Sequence, residues 1–151
     1  MESAAPVCER LGLEAVVVPR LTEFDVGPVI VESVDERPDL LVWRPEHTGG
    51  DAETLGEFSA RVAAFCAEVV DRHLGERVVV VSHGGTMEAV LRWSMDIAHT
   101  SPWMHDFDIP NASITEIERW PRGRFQGGAP HHTVLKRVCD VAHLDGLVTD
   151  I

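Results

Sequence analysis

The segment that most limits how this chain can fold is VVVVSHGGTMEAVLRW, residues 78–93. Val78–Val81 has no polar face, and a continuous run of β-branched residues is typical of a strand buried on both sides in a parallel sheet. The two glycines after His83 and the amphipathic run behind them predict a tight turn into a helix. The apolar face of that helix would carry Met87, Val90, Leu91 and Met95. Strand, glycine turn and helix together form the unit that places ligands at the carboxyl ends of parallel strands.

The rest of the chain alternates between helical and extended patterns. Pro6 and Gly12 bracket a short N-terminal helix, and the Thr-x-x-Glu pattern of Thr54 and Glu57 predicts a capped helix start, with Gly75 after its end. The predicted elements are helix Ser3–Leu11, strand Ala15–Val18, loop Leu21–Gly27, the helix after Thr54, strand Val78–Val81 with its helix, and strands Ala112–Ile117 and His132–Val138. This order predicts one α/β domain with a mostly parallel sheet.

Composition excludes several classes of function. The chain has 151 residues and a formal net charge of −12, which disfavours binding to nucleic acid or to an anionic membrane. Its three cysteines lack a Cys-x-x-Cys spacing, and no apolar run approaches the roughly 18 residues that a membrane span requires. The N-terminus has neither a basic start nor an apolar core, so it does not read as a signal peptide. These features predict a cytoplasmic protein without a cofactor, a nucleic-acid partner or a membrane partner.

His83 is the residue on which a chemical prediction can be based. The N–H groups of Gly84 and Gly85 would be open at the start of the following helix, where the helix dipole also favours an anion. A histidine at that point can donate a hydrogen bond to phosphate or act as acid, base or nucleophile. The alternatives are a histidine that caps the helix and one that is satisfied in the core.

Several segments resemble motifs of the histidine phosphatase superfamily, also called the phosphoglycerate mutase-like family. VVVVSHGGTMEAVL resembles the family's second-histidine motif, and LGLEAVVVPRLTEFDVG its glutamate loop. GGDAETLGEFSARV is similar to the Gly-Glu-Ser helix start, with Thr54 in the Ser position and Arg61 after it. FDIPNASITEIE and VCDVAHL are similar to the last two strands. The resemblance covers about Ala5 to Leu144 and implies a three-layer fold with a mostly parallel sheet.

The resemblance also implies roles for particular residues. In this family a nucleophilic histidine becomes phosphohistidine while a second histidine and arginines hold the phosphate, so that His83 would be the second histidine. Gly84 would offer its N–H to phosphate, and Glu23 would be the acid and base; the alternative for Glu23 is a solvated loop carboxylate. Trp103 and His105 would line the substrate pocket, or else pack over the sheet edge.

One part of the family pattern is absent from this sequence. No Arg-His-Gly occurs in the 151 residues, and the histidines before His83, at positions 47 and 73, do not follow a buried strand. The fold would therefore be N-terminally incomplete, lacking at least one βαβ unit of about 30 residues. Val78–Val81 would then lose its neighbouring strands, which leaves unpaired backbone groups. We expect a truncated chain, completion by another chain or a homo-oligomer, or rearranged strands.

The resulting functional hypothesis for residues 1–151 is a histidine phosphatase-like domain. It would hydrolyse a small phosphorylated metabolite if an upstream segment supplies the nucleophilic histidine, with mutase transfer as second choice because the region after the Glu23 loop is short. The alternatives are a non-catalytic phosphate-binding pseudoenzyme and a gene fragment. No metal site is expected, because the adjacent His131 and His132 would point to opposite faces of a strand.

Overall fold

The structure of the chain is a computed structural model that describes residues 2–25, 53–97, 107–121 and 131–145. These residues form helices α1 (Ala5–Leu11), α2 (Leu55–Arg72) and α3 (Gly84–Ser94) and strands β1 (Ile114–Pro121) and β2 (His131–Asp140). Short 3-10 helices cover Glu2–Ala4, Pro19–Leu21 and Ala142–Leu144. Within the described ranges, no helix combines the length and the apolar character needed to cross a bilayer.

The ends of α1 and α2 follow the local signals in the sequence. Gly12 adopts a left-handed conformation (φ 65°) and its N–H bonds to the carbonyl of Cys8, which ends α1 as predicted. At the start of α2 the Thr54 hydroxyl accepts a bond from the Glu57 N–H at 3.2 Å. The Glu57 carboxylate accepts the Thr54 N–H in return at 2.9 Å, which confirms the capping box. The helix ends at Arg72, three residues before Gly75.

The core lies between α2, α3 and the segment that follows Val18. Leu21 and Phe24 from this segment are buried against the apolar face of α2 and against Ala89 of α3. The rings of Phe24 and Phe58 meet edge to face, with centroids 5.3 Å apart. The buried face of α2 consists of Phe58, Val62, Phe65 and Cys66. The packing of Leu21 and Phe24 fixes where the intervening residues of the segment lie.

The buried face of α3 is more polar than the sequence predicts. Leu91 is fully buried as expected, whereas Met87, Val90 and Met95 are only half-buried. Glu88 and Arg92 form an ion pair of 3.1 Å with side chains 0% and 5% exposed. The spacing of apolar residues does not predict a buried face that carries charges. In sequence, a buried ion pair on consecutive helical turns looks the same as a solvent-exposed one.

The sheet of the described residues is a two-stranded antiparallel hairpin, β1 with β2. It confirms the two C-terminal strand predictions, with β1 shifted to begin at Ile114 and continue to Pro121, and β2 longer than predicted at both ends. Ala15–Val18 and Val78–Val81 lie outside any strand, and Val78–Val81 are between 38% and 56% exposed. A strand requires a neighbour to bond its N–H and C=O groups. Because neither segment is paired in the described part of the chain, the parallel sheet is not observed there.

Candidate functional site

The carboxylate of Glu23 lies at the first turn of α3, immediately after His83. Its Oε2 accepts a hydrogen bond from the N–H of Gly85 at 2.9 Å, and its Oε1 accepts one from the N–H of Phe24 at 2.8 Å. Helix N-termini carry unpaired N–H groups and partial positive charge, and both favour a carboxylate at this point. A residue 62 positions away in sequence therefore occupies one of the two orphan donors that follow His83.

Gly85 is required by this close approach. A Cβ atom added at position 85 would lie 2.5 Å from Oε1 of Glu23 and 3.1 Å from its Cδ. A Cβ added at Gly84 would meet nothing within 4 Å. The second glycine of the pair therefore makes room for the acid, whereas the first leaves open space next to His83.

His83 stands at the N-cap position of α3 and is exposed. Its side chain makes no capping hydrogen bond, although its backbone is extended (φ −110°, ψ 170°) as in an ordinary N-cap. The His83 side chain therefore does not cap the helix, and because it is exposed it is not part of the core. The N–H of Gly84 makes no hydrogen bond to another described residue. An exposed imidazole and an open N–H thus stand on the same helix end as the Glu23 carboxylate.

The backbone on both sides of Glu23 is held by Arg61 of α2. One terminal nitrogen, Nη1, donates to the carbonyls of Arg20 at 2.6 Å and Thr22 at 2.9 Å, and Nη2 donates to the carbonyl of Glu23 at 3.2 Å. The other two donors bind the carboxylate of Glu53, Nε at 2.5 Å and Nη2 at 2.8 Å. The hydrogen bonds to Glu53 are the main cause of a raised pKa of Arg61, so the guanidinium is always charged.

The start of α3 holds the same segment from the opposite side. The Ser82 hydroxyl donates to the carbonyl of Leu21 at 2.8 Å, and the Thr86 hydroxyl donates to the carbonyl of Thr22 at 3.4 Å. Thr86 is fully buried. The loop that carries Glu23 is therefore anchored to both helices through its backbone, which limits how far the carboxylate can move.

Sequence reasoning did not predict the parts played by Glu53 and Arg61. Arg61 was matched only as the residue that follows a helix-start motif, and Glu53 was not singled out. A usable signal exists for Arg61: it lies three residues after Phe58, beside the apolar stripe, where a charged residue needs a partner. No local pattern identifies that partner as the backbone of residues 20–23.

Two predicted pocket residues, Trp103 and His105, lie outside the described residues. Asp25, the neighbour that could be confused with Glu23, is exposed, and its N–H and carbonyl pair with Glu53 at 3.5 Å and 3.0 Å. Among the residues with described positions, no group of three or more His, Cys, Asp or Glu side chains could hold a metal ion.

An exposed histidine, the open N–H of Gly84 and a carboxylate bound to the next amide define a candidate anion-binding, acid–base site of the kind that phosphoryl-transfer proteins use. The family profile described as histidine phosphatase superfamily (branch 1) matches residues 1–127. The chain belongs to this superfamily, as its motifs predicted, and the superfamily has an α/β fold.

Individual relatives are distant. Phosphoserine phosphatase 1 of Hydrogenobacter thermophilus is 30% identical over an alignment of 126 positions, which covers 77% of this chain and 59% of that protein. A second protein of that organism is 28% identical over an alignment of 124 positions and is covered to 60% of its length. "Probable phosphoglycerate mutase GpmB" of an Enterobacter species is 25% identical over an alignment of 157 positions, gaps included, which covers 99% of this chain and 70% of that protein. The chain thus spans about three fifths of the two Hydrogenobacter relatives.

Proposed function

We propose that this chain provides the acid–base and second-histidine part of a phosphomonoester hydrolase that acts on a small phosphorylated metabolite in the cytoplasm. His83 and Glu23 would be its catalytic residues, with His83 and Gly84 binding phosphate. The observation that carries the proposal is the 2.9 Å hydrogen bond from the N–H of Gly85 to the Glu23 carboxylate. Gly85 lies two residues after His83, which is exposed. The superfamily includes phosphatases and mutases, and relatives named for both reactions match the chain.

The proposed reaction has two steps. A nucleophilic histidine attacks phosphorus, the bond from phosphorus to the ester oxygen breaks, and the carboxyl of Glu23 gives its proton to the leaving alkoxide. Water then attacks the phosphohistidine while the Glu23 carboxylate takes a proton, which releases inorganic phosphate and restores both groups. The His83 ring and the Gly84 N–H hold phosphate oxygens whose negative charge the dipole of α3 also favours.

The nucleophile would come from a segment that also completes the sheet. The Arg-His-Gly motif does not occur in the 151 residues. Val78–Val81, which are followed by Ser82 and His83, expose between 38% and 56% of their surface, and Val16 exposes 85%. We propose that an upstream segment carrying Arg-His-Gly covers these valines with additional strands. The result would be one histidine phosphatase-like domain with a mostly parallel sheet in a three-layer fold. In the alternative arrangement, another chain or a second copy of this chain supplies the segment.

A non-catalytic phosphate-binding protein is the second candidate. It would apply if no segment outside these 151 residues supplies Arg-His-Gly, because the site would then hold phosphate without the usual nucleophile. It shares with the first candidate the amides of α3 and the His83 ring, but it requires no proton transfer by Glu23.

Turnover separates the two candidates. The DNA upstream of the Met1 codon should be read for an in-frame Arg-His-Gly, and the longer product should be assayed beside the 151-residue chain with p-nitrophenyl phosphate and phosphoserine. We expect activity only in the longer product, lost in His83→Ala and strongly reduced in Glu23→Gln. Activity of the longer product that survives both substitutions would refute the proposed roles. Activity of the 151-residue chain that is lost in His83→Ala would refute the need for an upstream nucleophile.

A further inference from the structure

We propose that Arg61 is the positioning residue of the site: it fixes the direction of the Glu23 carboxylate by binding the loop backbone, without touching the substrate. This proposal rests on the proposed function only in that Glu23 is the group whose direction matters. The hydrogen bonds that carry it exist independently of any turnover.

All five N–H donors of the Arg61 guanidinium are used. Three bind carbonyls of the Glu23 loop, those of Arg20, Thr22 and Glu23, at 2.6 to 3.2 Å, and two bind Glu53. The guanidinium is rigid and planar, so one group sets the relative positions of three carbonyls along four residues. A single side chain therefore holds three points of the backbone from which the Glu23 side chain extends, the Glu23 carbonyl among them.

The guanidinium is itself held in place. Its Cζ lies 4.8 Å from the centre of the Phe58 ring, and Phe58 is 2% exposed. Glu53 binds its edge through both carboxylate oxygens, and the two side chains of this ion pair are 20% and 16% exposed. Phe58 of α2 and Glu53, which precedes that helix, thus hold the guanidinium through contacts separate from its bonds to the loop.

The contacts at the start of α3 duplicate this function only at the Thr22 carbonyl, which Thr86 also binds. Ser82 and Thr86 bind the carbonyls of Leu21 and Thr22, and Gly85 binds the carboxylate of Glu23 at its far end. Within the described residues, Arg61 is the side chain that holds the Glu23 carbonyl. Without Arg61, the Glu23 backbone would be free to turn, and the carboxylate would leave the amide of Gly85.

Arg20 provides a matched control. It lies in the same loop and also ties that loop to α2, through a 2.6 Å ion pair with Glu68 that is partly exposed. Its side chain holds no carbonyl of the Glu23 loop in the described structure. If any link between the loop and α2 were sufficient, the loss of either arginine would have the same effect.

The test is the hydrogen-exchange rate of the Gly85 amide, measured by NMR in the full 151-residue chain. Arg61→Lys should raise this rate about tenfold, because about one hydrogen bond is lost locally. Glu23→Ala, which removes the acceptor, should give the largest rise, and Arg20→Gln should give none. The amides of Met87 and Met95 in α3 should keep their rates in every variant.

Glu53→Gln gives a second, milder perturbation in case Arg61→Lys does not fold. It should raise the Gly85 rate about threefold by weakening the hold on the guanidinium. An unchanged Gly85 rate in Arg61→Lys or in Glu53→Gln would overturn the proposal, as would an equal rise at Gly85, Met87 and Met95, which indicates general destabilisation. None of these readouts needs catalysis, so a longer product without activity would contradict the proposed function and leave this result intact.

Discussion

The residues on the two sides of His83 differ sharply. Before it, Val78–Val81 are between 38% and 56% exposed and lie in no strand. After it, α3 buries Thr86, Glu88 and Leu91 completely. Gly85 and Thr86 of this helix, together with Ser82 just before His83, form hydrogen bonds to the Glu23 loop. Apolar side chains therefore do not by themselves make a strand, because the backbone N–H and C=O groups also need a neighbouring strand to bond. In the described residues, the part of the candidate site after His83 is built from α2, α3 and the Glu23 loop.

The largest effect is expected for Glu88→Ala in α3. This substitution removes the acid that pairs with buried Arg92 at 3.1 Å, and breaking a buried ion pair costs about 3–5 kcal/mol of unfolding free energy. Glu76→Ala is the control, because Glu76 pairs with His73 but is 66% exposed, and it should cost less than about 1 kcal/mol. Urea unfolding of both variants measures the two values. Equal losses would contradict the burial of the α3 face.

The same substitution on the two sides of His83 gives the next effect. Val62→Ala in the core should cost about 2 kcal/mol, since Val62 is 0% exposed and the lost methyl groups leave a cavity. Val79→Ala should cost less than about 0.5 kcal/mol in this chain, since Val79 is 56% exposed. A large loss for Val79→Ala would mean that the strand segment is already covered, for instance by a second copy of the chain.

The glycine pair after His83 provides a finer comparison. Gly85→Ala should destabilise by about 1.5 kcal/mol, because the new Cβ displaces the Glu23 carboxylate and costs a charge-assisted hydrogen bond. Gly84→Ala, with open space around it, should be neutral or stabilise by up to about 1 kcal/mol through helix propensity. Thermal unfolding distinguishes them, and equal behaviour would place Glu23 away from α3.

The smallest effect concerns Cys66 on the buried face of α2. Burial raises the pKa of its thiol to about 11, above the value of about 8.5 in an unfolded chain. A group with a raised folded pKa stabilises fully below the unfolded pKa and loses that contribution as pH rises through the folded value. The free energy of unfolding should therefore fall by about 1 kcal/mol by about pH 9. In Cys66→Val this slope above about pH 8 should disappear; its persistence would assign the slope to other groups.

The parts of the fold that sequence predicted are those with local causes. Gly12 ends α1 and Thr54 begins α2 because each signal acts within one helical turn. Partners that are distant in sequence were not available from such patterns. The carbonyls bound by Arg61 lie 38 to 41 residues away, and the valines before His83 are strand-like in composition but have no paired neighbour in the described structure.

The candidate site was predicted by resemblance more than by pattern. The roles of His83 and Gly84 were indicated by the strand–glycine–helix pattern and specified by family motifs, Glu23 came from a family motif alone, and the structure places Glu23 against the helix that His83 precedes. Position 85 requires glycine because the Glu23 carboxylate packs against it. No local pattern predicts this contact, since the two residues are 62 positions apart in sequence. Catalysis by His83 and Glu23 stays a prediction until turnover is measured.

The most direct test of the central claim is an NMR titration of the 151-residue chain with inorganic phosphate. If the start of α3 is an anion site beside His83, saturable shifts should be confined to the His83 ring, the amides of Gly84 and Gly85 and the Glu23 loop, and His83→Ala should weaken binding about tenfold, the loss of one charge-assisted hydrogen bond. Saturable shifts located elsewhere, or no shifts at the α3 start at millimolar phosphate, would contradict the claim.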